Sequence, residues 1–383
     1  MNNNHTPQRA CPICNKRSGT VLGRLSYALF DDLDIFGTKT LLCCDGCGMI
    51  YDDVAFTEEQ LQEYYRRNEH YAASVIGGAG GVSDDNNERY DRIIDTLMPD
   101  RDGLIIDYGC GQGGFITRCR HRGLKALGIE PSAKSREVAR QSGLSVYESM
   151  EAFLTHQQDH KIHAVVFSHV IEHLINPAQL LRIFAHSAGD AWVYLEVPDA
   201  DFYLSPDAVR WPELYFEHLS HFRKHDLAEL ATHAGIEITK EDGVPFSKYL
   251  NDTKCLVLVG RFSGTLKKAD AVKTATIHPV SLLPPLSVAD IPHDDHPTVL
   301  WGVSQYAMLL IGSCPQLAGH ITRLFDSSPA KIGRKINGII IEASDKLSSL
   351  SDEVHLLIPK SKFLPQMLSQ LQGTSFLGTV RII

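Results

Sequence analysis

The order of apolar runs along the chain predicts an α/β protein built on a doubly wound parallel sheet, and three observations carry that reading. Four short apolar runs, Leu104 to Asp107, Ala126 to Ile129, Ala164 to Phe167 and Trp192 to Val197, alternate with helix-length stretches. The first of them runs straight into a glycine-rich turn, with helix-forming sequence from Phe115. The same rhythm restarts near the C-terminus, where VLWGV, a helix through Met308 to Ile311, ITRLFD and HLLIPK follow one another.

Length and composition bound the rest. The chain has 383 residues, 43% hydrophobic and 22% charged, enough for two or three globular domains. A formal charge of -9 gives no overall electrostatic footprint for nucleic acid or an anionic membrane. No apolar run reaches the roughly 18–20 residues of a membrane span, and MNNNHTPQR lacks the apolar core of a signal peptide. The expectation is a cytoplasmic protein acting on a small molecule.

Four segments follow in order. Residues 1–70 hold two cysteine pairs, strand-like runs at Val21 to Leu25 and Lys39 to Leu42, and a helix opened by Thr57 with Glu58 and Glu59 in its first turn. Gly77 to Gly81 reads as a flexible connector before the helical pattern Asn87 to Met98. Residues 82–262 form the main α/β unit, and the proline-rich stretch 263–297 reads as a linker or wrapping segment. Residues 298–383 make a smaller α/β unit.

Five of the nine cysteines lie within the first 47 residues, and clustering of that kind without a secretion signal favours metal over disulfides. Cys11-Pro-Ile-Cys14 and Cys44-Asp-Gly-Cys47 are two C-x-x-C knuckles, each able to turn both thiolates toward one ion. Four thiolates satisfy tetrahedral Zn²⁺. With no histidine or open carboxylate beside them the site is closed, hence structural. Free core cysteines or a redox pair are the plainer alternative. Cys43 reads as a strand residue, and most of the 18 histidines as surface or core residues.

Leu104-Ile-Ile-Asp107-Tyr-Gly109-Cys-Gly111-Gln-Gly113-Gly114 is an apolar strand feeding a glycine turn and a helix N-terminus with unpaired N–H groups. A second strand, LKALGIE, ends about twenty residues on in Glu130, where a carboxylate can accept both hydroxyls of a ribose. The pair points to a bound nucleoside, and the turn is not the dinucleotide pattern G-x-G-x-x-G.

Here the sequence resembles the class I S-adenosylmethionine-dependent methyltransferases, whose first motif is D-x-G-C-G-x-G and whose second strand ends in an acid. The resemblance implies a central Rossmann-like methyltransferase sheet, with an N-terminal zinc module and a smaller C-terminal α/β domain. It implies that Asp107, Gly109 and Gly111 line the cofactor's amino-acid moiety and sugar, and that Glu130 holds the ribose. Adenine contacts fall to the Tyr147 to Met150 region. Val165-Val-Phe-Ser-His169-Val-Ile-Glu172-His173-Leu174 is similar to the family's segment beside the cofactor, His169 included; His169, Glu172 and His173 can equally cap the following helix.

After the run Trp192 to Val197 comes Tyr215-Phe-Glu217-His218-Leu-Ser-His221, a phenol, a carboxylate and two imidazoles close to where a doubly wound sheet opens its crevice. The plain reading makes Glu217 and His218 an exposed cap of the helix Lys224 to Ala234. The longer pattern resembles the nucleotide-sugar C-methyltransferases, which combine a four-cysteine zinc module, a central cofactor domain with Y-x-E-H-L-S and a C-terminal Rossmann-like domain. That resemblance implies loss of a proton next to a ketone and attack of the enolate on the sulfonium methyl. Tyr215 and His218 become base and proton relay, and Glu217 orients His218 or binds a sugar hydroxyl. His221 stands where that family commonly has tyrosine. The alternatives are an O- or N-methyltransferase acting on another small molecule, or a zinc-containing scaffold with a vestigial cofactor fold.

Overall fold

The computed structural model describes residues 6–33, 35, 37–67, 80–81, 84–98, 102–156, 161–205, 208–209, 214–246, 253–263, 296–361, 363–374, 376 and 378–383. The expected connector at 77–79 and nearly all of the proline-rich linker lie outside them.

The N-terminal part is a small antiparallel sheet of β1 (Gly19–Ser26), β2 (Thr38–Cys44) and β3 (Ile50–Asp53). The helix Glu58–Arg67 follows. Thr57 opens it reciprocally: its hydroxyl accepts from the Gln60 amide, and the Gln60 side chain accepts from the Thr57 amide.

The central sheet has seven strands. β4 (Leu104–Tyr108), β5 (Lys125–Ile129), β6 (Val146–Tyr147), β7 (Ile162–Ser168) and β8 (Trp192–Pro198) are all parallel. Their mostly apolar runs reflect burial on both faces, since helices cover each side. After β8 come the short pair β9 (Leu204–Ser205) and β10 (Ala208–Val209), and then β11 (Ser220–His221). Sequence periodicity did not predict how the sheet ends. β12 (Ile236–Phe246) and β13 (Thr253–Phe262) form an antiparallel hairpin, and β13 inserts beside β8, giving the order β12-β13-β8-β7-β4-β5-β6. The strand order reverses at β4 and β7, so a crevice opens at their carboxyl ends.

The last part is a six-stranded sheet of β14 (Thr298–Trp301), β15 (Ile321–Asp326), β16 (Lys335–Ile336), β17 (Ile339–Ala343), β18 (His355–Ile358) and β19 (Thr379–Ile382), ordered β16-β17-β15-β14-β18-β19. All its pairings are parallel except β16 with β17.

Two apolar clusters tie these layers together. One joins Cys11, Leu42 and Tyr51 to Ile106, Phe167, Leu195 and Phe222 of the central unit. The other joins Leu25 and Tyr27 to Phe216 and Leu219, and on to Leu309 and Leu357. Most telling for function is β11, which pairs with β3 rather than with the central sheet, Ser220 opposite Tyr51 and His221 opposite Ile50. The small N-terminal sheet thereby carries the end of the segment Tyr215 to His221.

Candidate active site

The glycine turn after β4 sits at the crevice. Gly109 and Gly111 have φ of 73° and 53°, and a Cβ on Gly109 would meet the Val170 methyl at 2.6 Å. Only glycine holds that path at low cost. Glu130, at the end of β5, accepts from the Gly111 and Ser132 amides, each at 2.8 Å, so one carboxylate fixes the turn and the start of the next helix. Burial pushes its carboxyl up, and the two amides oppose that shift. Asp107 is buried beneath the turn, where burial pushes it up to about 8 against the pull of Arg89. The turn and Glu130 fit a nucleoside carrying an amino-acid tail, while the first amide of the following helix is taken by the Gly80 carbonyl. Of the remaining residues assigned to the cofactor, Met150 is buried in the central core at the start of the helix Met150–His156. His169 follows β7 with φ of 58°, its amide donating to the Glu196 carbonyl and its Nδ1 3.5 Å from Glu172. The helix Pro177–Ser187 is capped by Asn176 instead, so the capping alternative for His169, Glu172 and His173 falls away.

Glu196 interrupts the apolar run of β8, and sequence reasoning passed over it. It is fully buried and paired with Arg92 at 2.8 Å and Ser168 at 2.6 Å, with Arg89 at 3.8 Å. A lone acid inside an apolar strand was the signal available.

Tyr215, Glu217 and His218 stand together on the other wall. Glu217 and His218 are 4% and 7% exposed, which overturns the exposed-cap reading. Glu217 accepts from Tyr64 at 2.6 Å and from Gln305 at 3.1 Å, so its carboxylate joins the N-terminal helix to the C-terminal unit. The His218 ring lies 4.9 Å from the Tyr215 ring and 4.8 Å from the His173 ring, and its Nδ1 is buried without a hydrogen-bond partner. Burial, with His173, His221 and Lys39 adding, holds its pKa well below the usual histidine range, so it is neutral near pH 7.

Lys39 holds this segment from behind. Fully buried, it donates to the carbonyls of His218 (2.6 Å) and Tyr215 (3.0 Å) and pairs with Asp52. Asp52 also faces His221 Nε2 at 3.5 Å, and His221 Nδ1 meets the Tyr203 hydroxyl at 2.8 Å. His221 is therefore a buried support. Burial pushes the Asp52 carboxyl up, but Lys39 and His221 outweigh it and the net shift is downward. Its contribution to stability is present above the unfolded carboxyl pKa of about 3.9 and is lost as pH falls toward the lower folded value. Denaturant titrations should show the gap between wild type and Asp52→Asn closing below about pH 4; a gap constant with pH would contradict the assignment.

The four cysteines Cys11, Cys14, Cys44 and Cys47 converge, with all Sγ atoms within 4.8 Å and the pairs Cys11–Cys47 and Cys14–Cys44 at 3.5 and 3.4 Å. Tetrahedral thiolates 2.3 Å from zinc lie about 3.8 Å apart, so the set fits that ion. Cys43 faces away, its Sγ toward the Gly48 carbonyl.

The family described as "Methyltransferase domain" matches residues 83–241, which span β4 to β8, Glu130 and the segment Tyr215 to His221. No curated protein matches the chain. Among solved structures it is similar to a SAM-dependent methyltransferase from Archaeoglobus fulgidus (14% identity, 46% of this chain and 94% of that one, TM-score 0.33). It is also similar to the magnesium protoporphyrin IX methyltransferase of Synechocystis PCC 6803 with bound SAM (15%, 54% and 98%, 0.39). A third is the 1,6-didemethyltoxoflavin-N1-methyltransferase of Burkholderia thailandensis (14%, 58% and 95%, 0.39). The central unit is a class I methyltransferase domain. The enzyme is a methyltransferase dependent on S-adenosylmethionine.

Glu130→Ala should weaken S-adenosylmethionine and S-adenosylhomocysteine alike, by about 1.5–3 kcal/mol for lost charged hydrogen bonds. Calorimetry reads this directly, and unchanged affinity for both would remove Glu130 from the cofactor site.

Proposed function

We propose that the enzyme methylates carbon, acting on a nucleotide-linked keto-deoxysugar by deprotonation next to the ketone. The observation that carries this is His218: a buried, neutral imidazole with an unpartnered nitrogen, packed against Tyr215 on one wall of the crevice. Such a pair suits removal of a proton from carbon acidified by a ketone. Bound S-adenosylmethionine supplies a methyl on a sulfonium, which leaves without help from an acid. The chain's own residues do the rest. Asp107, Gly109, Gly111, Glu130 and His169, with the backbone near Met150, hold the cofactor; Lys39 and Glu217 fix the segment that carries Tyr215 and His218.

In this reading Cys11, Cys14, Cys44 and Cys47 hold one structural Zn²⁺. Residues 1–70 form its module, 82–262 the methyltransferase domain, 263–297 a linker and 298–383 a substrate domain, in a cytoplasmic enzyme. Incubation with labelled cofactor and a panel of nucleotide keto sugars tests the substrate. The expected product is heavier by one methyl, with NMR placing it on ring carbon. A methyl on oxygen or nitrogen would overturn the carbon assignment.

A further inference from the structure

Behind the Tyr215–His218 pair lies a feature that the proposed chemistry leaves unused. Glu172 is 1% exposed, and neither carboxylate oxygen has a hydrogen-bond partner. One ligand atom each of Glu172, His173 and His218 lie within 4.8 Å of one another. His173 Nδ1 lies 3.1 Å from the Tyr65 hydroxyl and 3.2 Å from the Glu217 carbonyl; with Nδ1 protonated toward that carbonyl, which can only accept, Nε2 keeps its lone pair. That Nε2 lies 3.9 Å from Glu172 Oε1. His218 brings a second imidazole nitrogen, Nδ1, buried and unpartnered.

With His173 in that tautomer, three acceptors converge in a largely buried place, and His169 Nδ1 stands 3.5 Å from Glu172 Oε1 beside them. A substrate hydroxyl satisfies one of them; a cation satisfies all three. We propose that Glu172, His173 and His218 bind a divalent first-row transition ion. Two imidazoles and a carboxylate on one side of an ion suit such metals and leave positions open for oxygen ligands. Donors 2.0–2.2 Å from an ion lie about 3–3.5 Å apart, so the His173 Nε2–Glu172 Oε1 pair, now at 3.9 Å, needs only a small closure on binding. The Glu217 carbonyl and the Tyr65 hydroxyl, both on His173 Nδ1, hold the ring orientation that a ligating histidine needs. The other mixed cluster, His169, Glu196 and Cys255, is a poorer candidate because Glu196 is already paired with two arginines.

The site refines the proposed function and rests on its placing the acceptor beside His218. The ion's open positions face oxygen of the acceptor, a ketone or its neighbouring hydroxyl, whose developing negative charge it would offset. With His218 as ligand, Tyr215 would be the member of the pair left to take the proton.

Mn²⁺ is the probe, because it avoids thiolates and reports its ligands by electron paramagnetic resonance. Titrated into the full chain, it should bind at one ion per chain and show couplings to two imidazole nitrogens by electron spin echo modulation. Glu172→Gln and His173→Ala should each weaken it by at least about tenfold, with S-adenosylhomocysteine affinity retained as proof of folding. Absence of nitrogen couplings in the wild type, or variants that bind Mn²⁺ as the wild type does, would overturn the site. The two proposals fail separately. Nitrogen-coupled Mn²⁺ in an enzyme that methylates no keto sugar keeps the site and removes the sugar, whereas full sugar methylation by metal-stripped enzyme that binds no Mn²⁺ does the reverse.

Discussion

His218→Ala should lower turnover by about 10²–10⁴-fold, the range that a positioned acid–base group typically contributes, while S-adenosylmethionine binds with unchanged affinity. The separation follows from the architecture. The proposed cofactor contacts gather at the β4 turn and Glu130, whereas His218 sits on a segment held by Lys39 and continued into β11. Its burial makes the substitution chemical rather than cosmetic, since alanine removes both ring nitrogens from a buried place. Single-turnover measurements at saturating cofactor read the loss. Full activity in the variant would dismiss His218 from the reaction, whether as proton relay or as metal ligand.

Removal of zinc should be as damaging, although none of Cys11, Cys14, Cys44 and Cys47 belongs to the β4 turn or to the Tyr215–His218 segment. Structural zinc contributes about 10–16 kcal/mol of apparent binding free energy in small modules, comparable to or larger than the whole stability of a typical domain. The knuckle Cys44–Cys47 is the turn between β2 and β3, and β3 pairs with β11 immediately after His218. Cys44→Ser, or chelation, should therefore expose the N-terminal sheet to proteolysis and abolish turnover, with the central sheet still bound to S-adenosylhomocysteine. Elemental analysis should find about one zinc per chain in that cysteine site. Folded, active protein without metal would contradict this account.

Much of the central sheet was legible because its strands are buried on both faces and so appear as mostly apolar runs; Leu104–Tyr108 and Trp192–Pro198, each broken by one acid, are examples. The glycine turn and Glu130 were equally plain, being local in sequence. The β12–β13 hairpin was not, since its insertion beside β8 depends on pairings between residues some sixty positions apart. Long-range pairing also hid the supporting residues. Lys39 and Asp52 look like ordinary surface charges in a strand, and only the fold brings them under the carbonyls of Tyr215 and His218. Glu217 illustrates a subtler limit. Its residue type suggested chemistry, yet Tyr64 and Gln305 reach it from both ends of the chain, which makes it a joint between units in the structure. For Glu172 the sequence offered a cap, and burial without a donor is a property that only packing reveals.

The central claim is that a proton leaves carbon before the methyl arrives. Wild-type enzyme in deuterated water, given an accepted nucleotide keto sugar and S-adenosylhomocysteine in place of the methyl donor, tests it most directly by proton NMR. The account predicts that the signal of the hydrogen next to the ketone disappears with time, and that His218→Ala slows this by the same factor as turnover. A ring proton that persists in the wild type, together with a methylated product that still carries it, would contradict the mechanism and place the methyl on oxygen.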